Sequence, residues 1–233
     1  MIANFAVRIE VETPVSLRGL LHLDGLLGAL ADRAGGRWDD IPLARYEGLW
    51  QGSAAFLETG PFGPVYAHQV RVKRVRADAI PDRIFMGLKP RECTIGAMSP
   101  MRNRITPYPC LEGIRAVWFA ARGDQSATAE LLVGLRNLGA MGRAGYGRVS
   151  ELHWVELPDR PLTGLMHGVV LPSRAIPLSA WKRMSADTPA DAVIFLGRAH
   201  PPYWAGPETT CIGPMQIDLM GTASDILQML VGA

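Results

Sequence analysis

The chain has 233 residues, 48% of them hydrophobic and 20% charged, with a formal net charge of +2. Such a composition describes a globular rather than a disordered chain, and the length suffices for one large domain or two small ones around a packed core. A net charge this small does not by itself call for a polyanionic partner, so that question rests on where the charges fall.

No apolar run approaches the roughly 18–20 residues of a membrane span, and the N-terminus lacks the basic-then-apolar pattern of a signal peptide. Three cysteines, Cys93, Cys110 and Cys211, lie far apart without C-x-x-C spacing. Neither a disulfide framework nor a metal site is indicated, no cofactor motif occurs, and a reducing cytoplasmic location is expected.

Phe5, Val7, Ile9 and Val11 alternate with Ala6, Arg8, Glu10 and Glu12, which predicts a half-buried first strand. Leu23, Leu26, Leu27 and Leu30 then mark one face of a helix, with Asp24 in its first turn, where the helix dipole favours a carboxylate, and Gly35-Gly36 as its stop. His22 stands at the start of this helix, either as a capping residue or as a general base or RNA contact. Residues 37–52 follow no period. Ser53 to Glu58 reads as a short strand, 60–64 as a turn, and Val65 to Ala77 as a returning strand with a bulge at Lys73-Arg74.

Charge concentrates next. Between Arg71 and Arg104 stand nine basic residues, including Lys73, Arg74, Arg76 and Arg102, against three acidic ones, which leaves the rest of the chain acidic. A basic segment in a near-neutral protein is the footprint of a surface that tracks phosphates; the plainer reading is a solvated hairpin. Residues 85–109 read as a long loop. Ile114 to Ala120 is a strand, and Ser126 to Leu138 a helix with Leu131, Leu132, Leu135 and Leu138 in one stripe and Ser126 as N-cap. Val149 to Leu157 is a further strand.

Between that helix and strand lies GLRNLGAMGRAGYGRV, with Gly139, Gly142, Arg143, Gly145, Tyr146, Gly147 and Arg148. Nucleotide-binding glycine loops run strand, loop, helix, so that phosphate meets a helix N-terminus; here the order is helix, loop, strand, which argues against a dinucleotide or P-loop site. Bare backbone with arginines suits a phosphodiester chain, and the tyrosine offers a face for a base. A tight turn with solvated arginines is the plainer alternative.

The order of elements predicts an α+β fold: a decorated ferredoxin-like (RRM-like) βαββαβ domain over 1–157, with a basic hairpin inserted at about 60–110 and a smaller β-rich part over 158–233. In such a unit two helices cover one sheet face and the other is left to a ligand, commonly single-stranded RNA. In the last third, Leu165 to Leu171, Ala192 to Gly197 and Thr210 to Ile212 read as short strands and Ser224 to Leu230 as a closing helix, with Trp181, Tyr203 and Trp204 as packing residues.

LHLDGLLGAL, the glycine loop before the last strand, and HPPYW at His200 to Trp204 resemble the RAMP superfamily of CRISPR-associated proteins, most nearly the group-five subunit of type IV effector complexes. The resemblance implies a non-catalytic, RNA-binding subunit. It would cap the 5′ handle of the guide RNA and contact the backbone subunit and other subunits, with no membrane and no cofactor. Gly139 to Arg148 would then hold handle phosphates, and Arg71, Lys73, Arg74, Arg76, Arg102 and Arg104 would form a basic thumb. Some relatives cleave the guide precursor without metal. His22 or His68 would then be the base.

Overall fold

A computed structural model describes residues 1–17, 19–73, 104–159, 164–167, 171–185, 192–203 and 207–231. The fold is α+β, built on a five-stranded mixed sheet. In chain order come β1 (Ile2–Val11), α1 (Leu23–Arg33), β2 (Arg45–Tyr46), β3 (Leu49–Trp50), β4 (Phe56–Thr59), β5 (Val65–Lys73), β6 (Arg104–Glu112), β7 (Ile114–Asp124), α2 (Gln125–Leu132) and β8 (Val149–Glu156). They are followed by β9 (Met166–His167), β10 (Leu171–Pro172), β11 (Ile176–Pro177), α3 (Leu178–Met184), β12 (Val193–Gly197), β13 (Thr209–Gly213), β14 (Met220–Gly221) and α4 (Ala223–Val231).

The main sheet runs β14-β4-β7-β1-β8, antiparallel except where β14 lies parallel to β4. Alternation along β1 sends Phe5, Val7 and Ile9 to one face, where they are fully buried with Leu23, Leu27 and Leu30 of α1 and with Leu132, Leu135 and Leu138 at and beyond α2. Asp124 caps α2 by accepting from the Ala127 N–H at 3.1 Å, two residues before the Ser126 expected from sequence. The helix ends at Leu132, so Leu135 and Leu138 reach the core from the chain beyond it.

Two expectations change at the hairpin. The turn at 60–64 does not join paired strands: β4 pairs with β7, while β5 pairs with β6 in a separate two-stranded ribbon whose register runs unbroken from Val65↔Glu112 to Lys73↔Arg104. Residues 104–109, expected in a loop, belong to β6. The expected bulge involves Arg74, outside the described residues.

The opposite face of the sheet is not left open. Ile226 and Leu230 of α4 pack with Leu219 onto Ala6, Phe56, Ala116 and Trp118. The helix there is amphipathic, and Thr222 and Asp225 fix its start by reciprocal bonds, Asp225 Oδ2 accepting from the Thr222 N–H at 2.8 Å. Because β14 and α4 join the first sheet, the chain beyond residue 213 completes the N-terminal unit. The small sheet β11-β13-β12 has its own core of Ile176, Trp181, Cys211 and Ile212, together with Leu49 from the region that followed no period. Among the described residues, no helix is long and apolar enough to cross a membrane.

Candidate nucleic-acid interface

Beyond Leu138 the chain makes a turn stapled to the segment that follows β1. Ala140 N–H donates to the Ser16 carbonyl at 2.7 Å, Gly147 N–H to Pro14 at 2.8 Å, Arg148 N–H to Thr13 Oγ1 at 2.9 Å, and Thr13 Oγ1 to the Gly145 carbonyl at 2.7 Å. Leu138 N–H donates to Gly147 at 2.7 Å and Asn137 Nδ2 to Tyr146 at 3.1 Å, which closes the turn at its base. Two glycines are required by contact. Gly139 (φ +77°) lies where a Cβ would overlap the Ser16 carbonyl, and Gly147 (φ +61°) where it would overlap that of Leu138. Gly145 (φ +88°) faces open space.

The turn therefore has a built side and a presented side. Gly147 is buried and Gly142 and Tyr146 half-buried, whereas Gly139, Arg143, Gly145 and Arg148 are exposed. Arg148 Nε lies 3.1 Å from Glu12 Oε2, while Arg143 has no side-chain partner among the described residues. A single 3-10 turn spans Gly142–Ala144, so the N–H groups of Gly142 and Arg143 lie ahead of its first bond and meet no acceptor among the described residues. The same short segment holds the base of the β5–β6 ribbon. Val15 and Leu111 exchange backbone bonds at 3.0 and 2.8 Å, and Ser16 Oγ donates to the Pro109 carbonyl at 2.8 Å. Backbone register puts Arg71 opposite Thr106, Lys73 opposite Arg104 and His68 opposite Pro109. Arg74, Arg76 and Arg102 lie outside the described residues.

Beside the turn is a mostly apolar cleft of about 330 Å³, lined among others by Leu17, Leu21, Leu26 and Leu135, with Gly139 and Ala140 on one side and His22 and Tyr203 on another. His22 is buried and stacked on Tyr203, ring centroids 4.6 Å apart. Its Nε2 accepts from the Ala175 N–H at 3.4 Å, and Nδ1 has no partner among the described residues. Burial, and secondarily the charge of Arg174, holds its pKa well below 6.5, so the ring is neutral. The ring packs on Tyr203 and lines the cleft in its neutral form.

Sequence reasoning missed the residue that organises this corner. Arg174 is fully buried and donates to Asp24 Oδ2 at 2.9 Å, to the Tyr203 hydroxyl at 2.5 Å, and to the carbonyls of Trp50, Gly52 and Ala199. Tyr203 Oη in turn donates to the Asp24 carboxylate at 2.8 Å. Burial opposes the charge on Arg174, but Asp24 and Tyr203 more than offset it and raise its pKa; burial raises that of Tyr203, which stays protonated. LHLD and the HPPY segment, distant in sequence, thus meet where the Tyr203 hydroxyl bonds to the buried Asp24–Arg174 ion pair. Trp204 lies outside the described residues.

On the sheet face that carries α4, Arg8 grips Glu58 through two bonds of 2.7 and 2.9 Å and also pairs with Glu10; Trp118 Nε1 donates to Glu58 at 2.7 Å. Glu151 and His153 complete this patch. The patch is rich in carboxylates and α4 covers the neighbouring part of the face, so the open single-stranded RNA platform expected there is not left free.

No family model matches the chain, and no curated protein does. Among solved structures it is similar to a chain of the Type III-B Cmr-beta complex bound to cognate target RNA, determined by cryo-EM, at 11% identity and a TM-score of 0.40. The match covers 66% of this chain and 61% of that one, so it spans less than two thirds of that chain's length. A likeness at that level is too loose to assign a function.

Proposed function

We propose that the protein is a non-catalytic RNA-binding subunit of a CRISPR effector ribonucleoprotein, with a ferredoxin-like RAMP core, and that it grips the 5′ handle of the guide RNA between its glycine turn and the base of its basic ribbon. One observation carries the reading: Thr13–Ser16 anchors both the turn and the ribbon, so the two features that the sequence marks for phosphate share a single support. The N–H groups of Gly142 and Arg143 and the Arg143 side chain, without partners among the described residues, supply donors suited to phosphate oxygens. Two strand–helix–strand crossovers, β1–α1–β4 and β7–α2–β8, in the order β4-β7-β1-β8 support the ferredoxin-like core. The LHLD and PPY matches support the RAMP assignment and the type IV, group-five reading. In this account target sequence is read by the guide, and the protein holds backbone and shape.

The nuclease reading would draw its base from His22, which lines the cleft with an unpartnered Nδ1, or from His68. The test is a denaturing gel, run beside a retention assay, of end-labelled guide-repeat RNA with the purified chain in EDTA. Intact RNA retained through its 5′ end is expected. A discrete cut within the repeat, or retention indifferent to the 5′ end, would overturn the proposal.

A further inference from the structure

We infer that the cleft beside the glycine turn is a slot for one unstacked RNA base with a carbonyl edge, guanine or uracil, which the ring of His22 reads. The inference rests on the RNA-binding reading and deepens it, by naming the part of the strand that enters the protein there. His22 Nε2 accepts from the Ala175 N–H, so the proton of the neutral ring sits on Nδ1. That N–H is buried. Among the described residues lining the cleft, His22 alone holds a buried polar side-chain atom with no partner. A buried donor left unpaired costs free energy that a bound acceptor recovers.

The ring is held in place by its surroundings. It stacks on Tyr203, whose hydroxyl is fixed by Asp24 and Arg174. Gly25 of α1 makes room for that tyrosine, since a Cβ there would meet the Tyr203 ring at 2.8 Å. Leu17, Leu21, Leu26 and Leu135 give the cleft apolar walls, suited to the faces of a heteroaromatic ring. Gly139 and Ala140 line it too, and they belong to the turn whose Gly142 and Arg143 N–H groups meet no acceptor among the described residues. An apolar slot, a buried donor and free backbone donors in the adjoining turn are the parts of a nucleotide site, with the base inward and the phosphate toward the turn. An apolar side chain from a protein partner would fill the slot but leave Nδ1 unpaired. Guanine offers O6 and N7, and uracil its carbonyl oxygens, whereas adenine and cytosine set an amino donor on the corresponding edge.

The test is titration of the full chain with GMP, UMP, AMP and CMP, one at a time, followed by nuclear magnetic resonance of the His22 ring nitrogens and the Gly139 and Ala140 amides. Free nucleotides keep this result separate from the guide-repeat gel, which judges handle binding on its own. Saturable shifts at all three residues are expected, with GMP and UMP bound at least about fivefold more tightly than AMP and CMP. His22→Phe keeps a ring on Tyr203 but removes the donor; it should weaken GMP binding about three- to tenfold and erase the preference. Ala29→Leu, on the wall formed by α1, keeps the donor and narrows the slot, so it should weaken all four at least about fivefold. Circular dichroism checks both folds, and Ala29→Leu carries the test if His22→Phe does not fold. No shift at His22 with any nucleotide, as a slot for a protein side chain would give, would overturn the inference. So would equal binding of the four, a preference that survives His22→Phe, or binding that Ala29→Leu leaves unchanged.

Discussion

Arg174 and Asp24 illustrate how one residue's role escapes local pattern. Asp24 sits where a helix dipole favours an acid, and that alone explained it in the sequence; in the fold its carboxylate is fully buried against Arg174 and Tyr203. Nothing around Arg174 forecasts this, since it interrupts the mostly apolar run 171–176 and its partners are 150 and 29 residues away. Removing one charge strands the other. Arg174→Met should cost about 3–5 kcal/mol, and the double variant with Asp24→Asn less than the sum of the two, as read from urea unfolding. A midpoint unchanged in Arg174→Met would contradict the picture. Acid sensitivity follows from two further residues. His22 has a folded pKa below its ordinary 6.5, and Glu58, held first by Arg8 and then by the Trp118 N–H, one below 4.5. In both cases the unfolded chain binds protons first, so stability is full above the ordinary value and falls as pH drops through it. Loss should begin near pH 6.5 through His22 and deepen below 4.5 through Glu58. Glu58→Gln should flatten the lower limb of the urea midpoint against pH while leaving the upper one; an unaltered profile would count against the Arg8–Glu58 pair.

At the scale of elements, period and punctuation carried most of the information. The alternation of β1, the leucine stripe of α1 and the strands around Ile114 and Val149 were legible because each buries one face against the same core. The short helix α3 and strands β2 and β3 were not, because their burial is set by packing between distant parts of the chain, such as Leu49 against Trp181. Glycines in the turn were legible as a cluster but not in their separate duties. Gly147→Ala should be the more damaging change, since its Cβ would overlap the Leu138 carbonyl in addition to the positive φ. Gly145→Ala meets open space and should cost about 1–2 kcal/mol for the left-handed conformation alone. Thermal unfolding of the two variants would order them; equal losses would mean that the turn yields more readily than its hydrogen bonds imply.

For the whole molecule, the C-terminal return changes which surfaces are available. The sequence placed a closing helix at 224–230 but not its destination, which depends on a parallel pairing of β14 with β4 some 160 residues earlier. Ile226 is fully buried on Phe56 and Trp118, so Ile226→Ala should cost about 2–5 kcal/mol in urea unfolding, and a neutral result would detach α4 from the sheet. With α4 covering that face, the proposed RNA grip falls to the glycine turn and the base of the ribbon, which share Thr13–Ser16. The most direct test is the salt dependence of guide-repeat RNA binding by the wild type and Arg143→Ala. If Arg143 holds a phosphate, the substitution should weaken binding and lower the log–log slope by about 0.7–0.9, whereas Arg148→Ala, whose side chain is already paired with Glu12, should lower it less. An Arg143→Ala slope equal to that of the wild type would contradict the account of the turn as the RNA grip.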